Sequence, residues 1–318
     1  MRMAILDDYF NAALSLADWD RLKGRAEVKV FTEPLQGEEE AARQLADFEI
    51  IVGMRERTPF PATLIRRLPK LKLLITTGMR NLSFDLEAAS KQGITVCGTG
   101  GVGNPTSELA IGLIIALMRD IPGQFESMRR GGWQTRPGYD LAGKTLGVLG
   151  LGRVGGAVAA VGNALNMKVI AWSQNLTEDR AVECRARRVK KEELLKEADV
   201  VSIHLVLSAR TRGIVGEKEL SLMKPTAYLV NTSRGPIVDE DALLKALQEK
   251  KIAGAALDVY GTEPLPARHP FRSLENVLLT PHLGYVSVEN FAKMYHDAVE
   301  DIIAFLDGKP VRVLNTPE

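Results

Sequence analysis

Lys144-Thr145-Leu146-Gly147-Val148-Leu149-Gly150-Leu151-Gly152-Arg153-Val154-Gly155-Gly156 decides how the rest of the chain is read. Thr145 to Leu149 is an apolar run of the length of one buried strand. Gly150, Gly152 and Gly155 follow in the spacing G-x-G-x-x-G, and Val154, Val158, Val161 and Leu165 then recur at helical intervals. A strand–turn–helix that holds a dinucleotide needs each glycine for a different reason. Gly150 permits the tight turn, Gly152 lets the backbone approach a pyrophosphate, and Gly155 lets helix and strand pack closely. The start of the helix offers N–H groups and a partial positive charge to phosphates. A second strand is expected at Lys168 to Trp172, which supplies the strand–helix–strand context. A nucleotide-hydrolysing P-loop is not expected.

The chain has 318 residues, which suggests two domains, each able to bury its own core. It is 45% hydrophobic and 25% charged, with a formal net charge of +1. That balance gives no electrostatic case for nucleic acid or an anionic membrane as partner. Cys97 and Cys184 are the only cysteines, so a four-cysteine zinc site is excluded, and no metal site is expected. Asp7 and Asp8 interrupt what would be a signal core, and the longest apolar run, Leu109 to Met118, is too short to span a bilayer. A cytoplasmic protein is the expectation.

Strands are expected at Met3 to Leu6, Val28 to Phe31, Glu49 to Gly53, Leu71 to Thr76 and Thr95 to Cys97. Helical periodicity covers Ala12 to Leu22, Glu38 to Leu45 and Thr63 to Leu68. Alternating strands and helices imply a parallel sheet with helices on both faces. The Gly/Pro/Asn-rich passage from Gly98 to Pro105 reads as a linker, and Ser107 to Arg119, apolar nearly all round, as a mostly buried helix. A second alternating series starts at the glycine turn. Its later strands are Val200 to Val206, Ala227 to Asn231, Gly254 to Val259 and Val277 to Thr280, with a helix at Glu240 to Glu249 capped by Asp239. Glu289 to Leu306 is an amphipathic helix, followed by Val311 to Leu314. The fold class is therefore α/β: two Rossmann-like parallel-sheet domains with a cleft between them. The first is discontinuous, residues 1–100 and 285–318, and the dinucleotide-binding domain spans 101–284.

Three clusters close strands of the second series, where ligands bind in open α/β sheets. They are Asn231-Thr232-Ser233-Arg234-Gly235, Asp258-Val259-Tyr260-Gly261-Thr262-Glu263-Pro264 and Thr280-Pro281-His282-Leu283-Gly284. Each holds one residue suited to acid–base or anion chemistry: Arg234, Glu263 and His282. Moving a proton near neutral pH needs a group that titrates there. Histidine suits the proton. A carboxylate beside it favours the imidazolium and orients the ring. Arginine's planar fork matches a substrate carboxylate. His282 is thus the expected acid/base, Glu263 its partner and Arg234 the substrate clamp. Of the other histidines, His204 reads as a buried or lining group, and His269 and His296 as solvated. Cys97 reads as a packing residue.

With these motifs in this order, nearly the whole chain resembles the D-isomer-specific 2-hydroxyacid dehydrogenases. That resemblance implies NAD(H) or NADP(H) in the cleft, a 2-keto or 2-hydroxy acid as the small-molecule partner, and a homodimer built around the helix at Ser107 to Arg119. It also implies cofactor contacts at Gly150, Gly152, Arg153, Val154, Gly155, Ser173 and Thr232, with Asp258 meeting the nicotinamide amide. Substrate contacts are implied at Arg55, Gly78, Met79 and Arg80.

Two departures stand out. The strand before Ser173-Gln174-Asn175 is followed by no acidic residue, so NADP(H) is expected to be tolerated or preferred, with Arg180 in reach of a 2′-phosphate. Gly78-Met79-Arg80 carries arginine where the family has a second glycine, and Glu56 stands where serine is common. A Glu56–Arg80 pair that helps choose the substrate is the expectation. Two other functions share the scaffold: a dinucleotide-sensing, corepressor-like interaction protein, and a formate- or phosphite-type dehydrogenase. Retention of Arg234, Glu263 and His282, and the lack of basic or disordered tails, argue against the first. Arg80 is compatible with a small oxyanion.

Overall fold

The computed structural model describes residues 1–315. The chain divides into two compact units, Met1–Gly103 together with the segment from Ser287, and Asn104–Val286. The first unit contains β1 (Arg2–Ile5), β2 (Glu27–Val30), α1 (Gly37–Leu45), β3 (Ile50–Gly53), α2 (Ala62–Ile65), β4 (Leu73–Thr76), α3 (Leu86–Lys91) and β5 (Thr95–Gly98). Its strands are all parallel, in the order β2-β1-β3-β4-β5. This is a doubly wound order whose direction reverses between β1 and β3. The central strands are short uninterrupted apolar runs, Ile50-Ile51-Val52 and Leu73-Leu74-Ile75, because helices cover both faces.

The second unit contains α4 (Pro105–Met118), α5 (Ile121–Arg129), β6 (Thr145–Leu149), α6 (Arg153–Ala164), β7 (Lys168–Trp172), α7 (Glu178–Glu183), β8 (Arg187–Arg188), α8 (Lys191–Glu197), β9 (Val200–Ile203), α9 (Glu217–Leu222), β10 (Tyr228–Asn231), α10 (Glu240–Gln248), β11 (Gly254–Leu257) and β12 (Val277–Leu279). The seven strands are parallel, in the order β12-β11-β10-β9-β6-β7-β8. Strand direction alternates the side chains between two cores. Leu146 and Val148 of β6 join α4 and α6 on one face, whereas Leu149 joins Leu194, Leu220 and Leu243 on the other. The order reverses at β6 and β9, which places the glycine turn at the switch point. The chain then returns to the first unit as α11 (Val288–Leu306), capped by the Ser287 hydroxyl on the Asn290 N–H. Beyond it, Val313 pairs antiparallel with Cys97, and the Arg312 guanidinium donates to buried Asp301 at 2.8 Å.

Several elements differ from the sequence expectation. Ala12 to Leu22 is two short 3₁₀ turns, Ala13–Ser15 and Trp19–Leu22. The Asp8 carboxylate accepts the Ala12 and Ala13 N–H groups, and the Trp19 indole donates to the Ala13 carbonyl, so the backbone is held outside a helix. The strand from Val200 ends at Ile203. Only one side of α4 is buried, through Ser107, Ala110, Leu113, Ile114 and Met118. His269 is not solvated: its ring bonds Glu240 at 3.1 Å and caps the Phe271 N–H. The P-loop spacing G-x-x-x-x-G-K-[ST] does occur, at Gly138 to Thr145. There Thr145 opens β6 instead of a helix, so the strand–loop–helix context of a phosphate cradle is missing.

Candidate active site

The glycine turn has the geometry that its residues suggest. Gly150 sits at φ +101°, a conformation that side chains disfavour. A methyl group at Gly155 would collide with the Gly150 carbonyl oxygen, whereas one at Gly152 would meet nothing within 4 Å. Space is therefore kept open at Gly152, directly at the N-terminus of the twelve-residue α6. Arg153 opens that helix and donates to the Asn104 side chain at 2.7 Å, and Val154 is half-buried behind it. The Thr232 hydroxyl is buried with no protein partner among the described residues. An open glycine, a helix N-terminus and an orphaned hydroxyl at the strand ends fit a dinucleotide.

Beyond β7, a cavity of about 280 Å³ lies against Trp172, Ser173, Gln174, Asn175, Leu205 and Val206. A second, of about 370 Å³, adds Arg188 to Ser173 and Gln174. Arg180, expected to reach a 2′-phosphate, is committed elsewhere. Its guanidinium donates to the Leu151 and Gly152 carbonyls and to Glu183, bracing the glycine turn from behind. His204 is half-buried beside this turn, its Nε2 within 2.9 Å of the Ser202 hydroxyl, and desolvation pushes its imidazole down to about 4.

At the ends of β10, β11 and β12 the three clusters converge. His282 Nδ1 lies 2.5 Å from Glu263 Oε2. The other Glu263 oxygen accepts the Tyr260 N–H at 2.9 Å. Burial alone would raise the Glu263 pKa. The hydrogen bond and charge of His282, the Tyr260 N–H and the Arg234 charge outweigh it and hold the carboxyl below its ordinary range. His282 itself adopts φ +54°, and its ring meets Tyr285 edge-on at 5.4 Å. A non-glycine residue in that region is strained, and the turn around it is correspondingly over-determined. Asp258, wholly buried, accepts the Thr280 hydroxyl (2.6 Å) and the Leu283 N–H (2.7 Å) on one oxygen and the Gly284 N–H (2.8 Å) on the other. Burial nevertheless keeps its carboxyl above the usual range. Arg234 is half-buried, with Nη1 donating to the Ser233 carbonyl at 2.7 Å. Gly235 is obligatory here, since a methyl group would collide with the Tyr260 backbone.

In the first unit, Arg55, Gly78, Met79 and Arg80 lie on the loops after β3 and β4. Gly78 has φ +97°, and the Arg55 guanidinium covers the position a side chain would take. Met79 and Arg80 are exposed. The expected Glu56–Arg80 pair does not form among the described residues. Arg55 Nε lies 3.8 Å from Glu56 instead, because Arg55 folds back over the glycine while Arg80 turns outward.

Residues 111–284 match the model of the D-isomer specific 2-hydroxyacid dehydrogenase NAD-binding domain. The chain belongs to that family. It is 40% identical over 263 residues to a glyoxylate reductase of Aeropyrum pernix, covering 79% of this chain and 78% of that one. Its fold matches the crystal structure of a phosphoglycerate oxidoreductase from Vibrio cholerae, with a TM-score of 0.92, 36% identity, and coverage of 97% of this chain and 99% of that one. It also matches an acyclic imino acid reductase solved with NADPH and D-Arg, with a TM-score of 0.77, 30% identity, and coverage of 98% and 99%. As a D-2-hydroxyacid dehydrogenase, the protein is an oxidoreductase using a nicotinamide dinucleotide. Among the described residues, no helix is long and apolar enough to cross a membrane, and no cluster of side chains is arranged for a metal.

This dehydrogenase has further residues at these sites that sequence patterns do not single out. Asn231 bonds both the Arg234 carbonyl and the Ser233 N–H, and so shapes the arginine loop. The Tyr260 hydroxyl donates into the Leu257 and Thr280 carbonyls, tying the glutamate loop to the histidine turn. Both lie inside motifs already marked by Arg234 and Glu263, but nothing in their spacing separates a brace from a bystander.

Proposed function

We propose that this protein reduces a short 2-keto acid to the D-2-hydroxy acid, with His282 as acid/base, Glu263 as its partner and Arg234 as the clamp on the substrate carboxylate. The contact that carries this reading is the 2.5 Å approach of His282 Nδ1 to Glu263 Oε2. With Nδ1 engaged by the carboxylate, the ring presents Nε2 to the carbonyl oxygen, and the negative Glu263 steadies the imidazolium that must donate. Arg234, whose charge already acts on Glu263, supplies the cation for the anionic substrate. The nicotinamide, when bound, supplies the hydride to the carbonyl carbon.

Gly150, Gly152, Arg153, Val154 and Gly155 would hold the pyrophosphate, and Thr232 the ribose–nicotinamide end. Asp258 would meet the carboxamide through Oδ2, which takes only one of the three donors bonded to that carboxylate. Ser173 carries no negative charge to repel a 2′-phosphate, and in the cavity beside it Arg188 and Lys190 balance Glu178 and Glu193, so NADP(H) is tolerated as well as NAD(H). Arg55, Gly78 and Met79 would contribute to substrate binding. Arg80, exposed and outside any ion pair among the described residues, would contribute less. We place the enzyme in the cytoplasm as a homodimer, without nucleic acid as a partner.

The test is a panel of 2-keto acids, glyoxylate, pyruvate and hydroxypyruvate among them, assayed with NADH and with NADPH. Oxidation of either cofactor with accumulation of the D-hydroxy acid supports the reading. Cofactor binding without turnover on any member of the panel contradicts it, and would favour the sensing role.

A further inference from the structure

Arg55 is held in an arrangement it would not adopt alone. It is a non-glycine residue at φ +53° directly after β3, and its guanidinium lies on the face of Gly78. Such a backbone is strained and persists only where neighbours fix it. Its N–H donates to the Thr77 hydroxyl at 2.9 Å. Its carbonyl is held by Asn81, which comes from the other loop. Asn81 Nδ2 donates to the Arg55 carbonyl at 2.6 Å and to the Thr76 hydroxyl at 2.9 Å. Asn81 Oδ1 accepts the Ser83 N–H at 2.9 Å and the Ser83 hydroxyl at 2.6 Å. Both donors and both lone pairs of the amide are therefore used. No other side chain of this size offers two of each.

We propose that Asn81 is a positioning residue for substrate binding: by tying the Arg55 carbonyl to the end of β4, it keeps the Arg55 guanidinium over Gly78, where it meets the carboxylate of a 2-keto acid. This rests on the reading of Arg55 and Gly78 as substrate contacts. Asn81 touches no reacting group. It acts by removing the alternatives open to Arg55, which otherwise relaxes to negative φ and swings its side chain off the glycine. The guanidinium also has contacts of its own, Nη1 donating to the Thr77 carbonyl at 3.4 Å and Nε lying 3.8 Å from Glu56, both at the long end of such interactions. Substrate affinity then depends on a neutral amide that carries no charge and makes no substrate contact.

The experiment compares Asn81→Ala, Asn81→Asp, Arg55→Ala and the double variant Arg55→Ala/Asn81→Ala in the full-length enzyme. It measures KM and kcat for the best keto acid of the panel, cofactor Kd and Tm. Asn81→Asp is nearly isosteric and keeps the Ser83 contacts, but sets a carboxylate oxygen against the Arg55 carbonyl. Both Asn81 variants are expected to raise KM about tenfold, the scale of one buried hydrogen bond lost, with kcat within about twofold and cofactor Kd unchanged. The double variant is expected to be no worse than Arg55→Ala. If Arg55→Ala raises KM and the Asn81 variants do not, the positioning role is wrong while the substrate contact stands. If Arg55→Ala leaves KM unchanged, the substrate contact itself is wrong and the positioning role goes with it. Parallel losses in KM, kcat, cofactor Kd and Tm would mark Asn81 as merely structural and overturn the proposal.

Discussion

At the scale of single residues, the site is a set of groups whose partners leave them few other states. Glu263 is held by the Tyr260 N–H on one oxygen and by His282 on the other, and its pKa is lowered although desolvation acts to raise it. Three left-handed non-glycine residues, Asp7, Arg55 and His282, sit just beyond strand ends, two of them at the sites assigned here to substrate and proton. Arg234 is the cation of the cluster, and its shape matters as much as its charge. Arg234→Lys is expected to raise KM for the keto acid by about 10- to 100-fold, because an ammonium cannot make the paired contact of the guanidinium with a carboxylate. Steady-state kinetics on the purified variant checks this, and an unchanged KM would place carboxylate binding elsewhere.

At the scale of elements, what was legible in the sequence was whatever repeats or must be glycine. The strands β3, β4 and β6 are continuous apolar runs, and Gly150 and Gly155 are forced by a positive φ and by a backbone too near for a methyl group. The Arg234, Glu263 and His282 clusters were legible because each closes a strand. The 3₁₀ turns at 13–22 were not, since they depend on Asp8 and Trp19 contacts that have no periodicity. The Arg55–Glu56 contact was not either, because it turns on which way a side chain folds over Gly78. His204, just past β9, carries an element-scale prediction. Its folded pKa is depressed to about 4 by burial alone, against an ordinary value of 6.5. The unfolded chain therefore binds a proton that the folded chain refuses between those values, so the His204 contribution is present above pH 6.5 and is lost as pH falls toward 4. Urea melts from pH 4 to 7 should show a shallower acid loss for His204→Gln than for the parent, and identical slopes would remove His204 from the acid limb.

At the scale of the whole molecule, α4 and α5 leave apolar surface uncovered. Ile121, Phe125 and Met128 share one side of α5 at helical spacing and are 50–59% exposed, and Trp133 beyond them is 71% exposed. A patch of this kind marks an association surface, which is why we assign the homodimer to it. Phe125→Asp with Trp133→Asp is expected to halve the mass seen by sedimentation equilibrium, and a parent protein that is already a monomer at micromolar concentration would contradict the assignment. The half-buried outer side of α4 fits the same proposal: a helix apolar nearly all round, covered on one side by its own unit, would be covered on the other by a second copy. Whether His282 delivers the proton during keto-acid reduction is tested most directly by kcat for the best keto acid together with cofactor Kd in His282→Asn. A loss of about 10²–10⁴ in kcat with cofactor Kd unchanged is expected; near-normal turnover by the variant would remove His282 from the proton transfer.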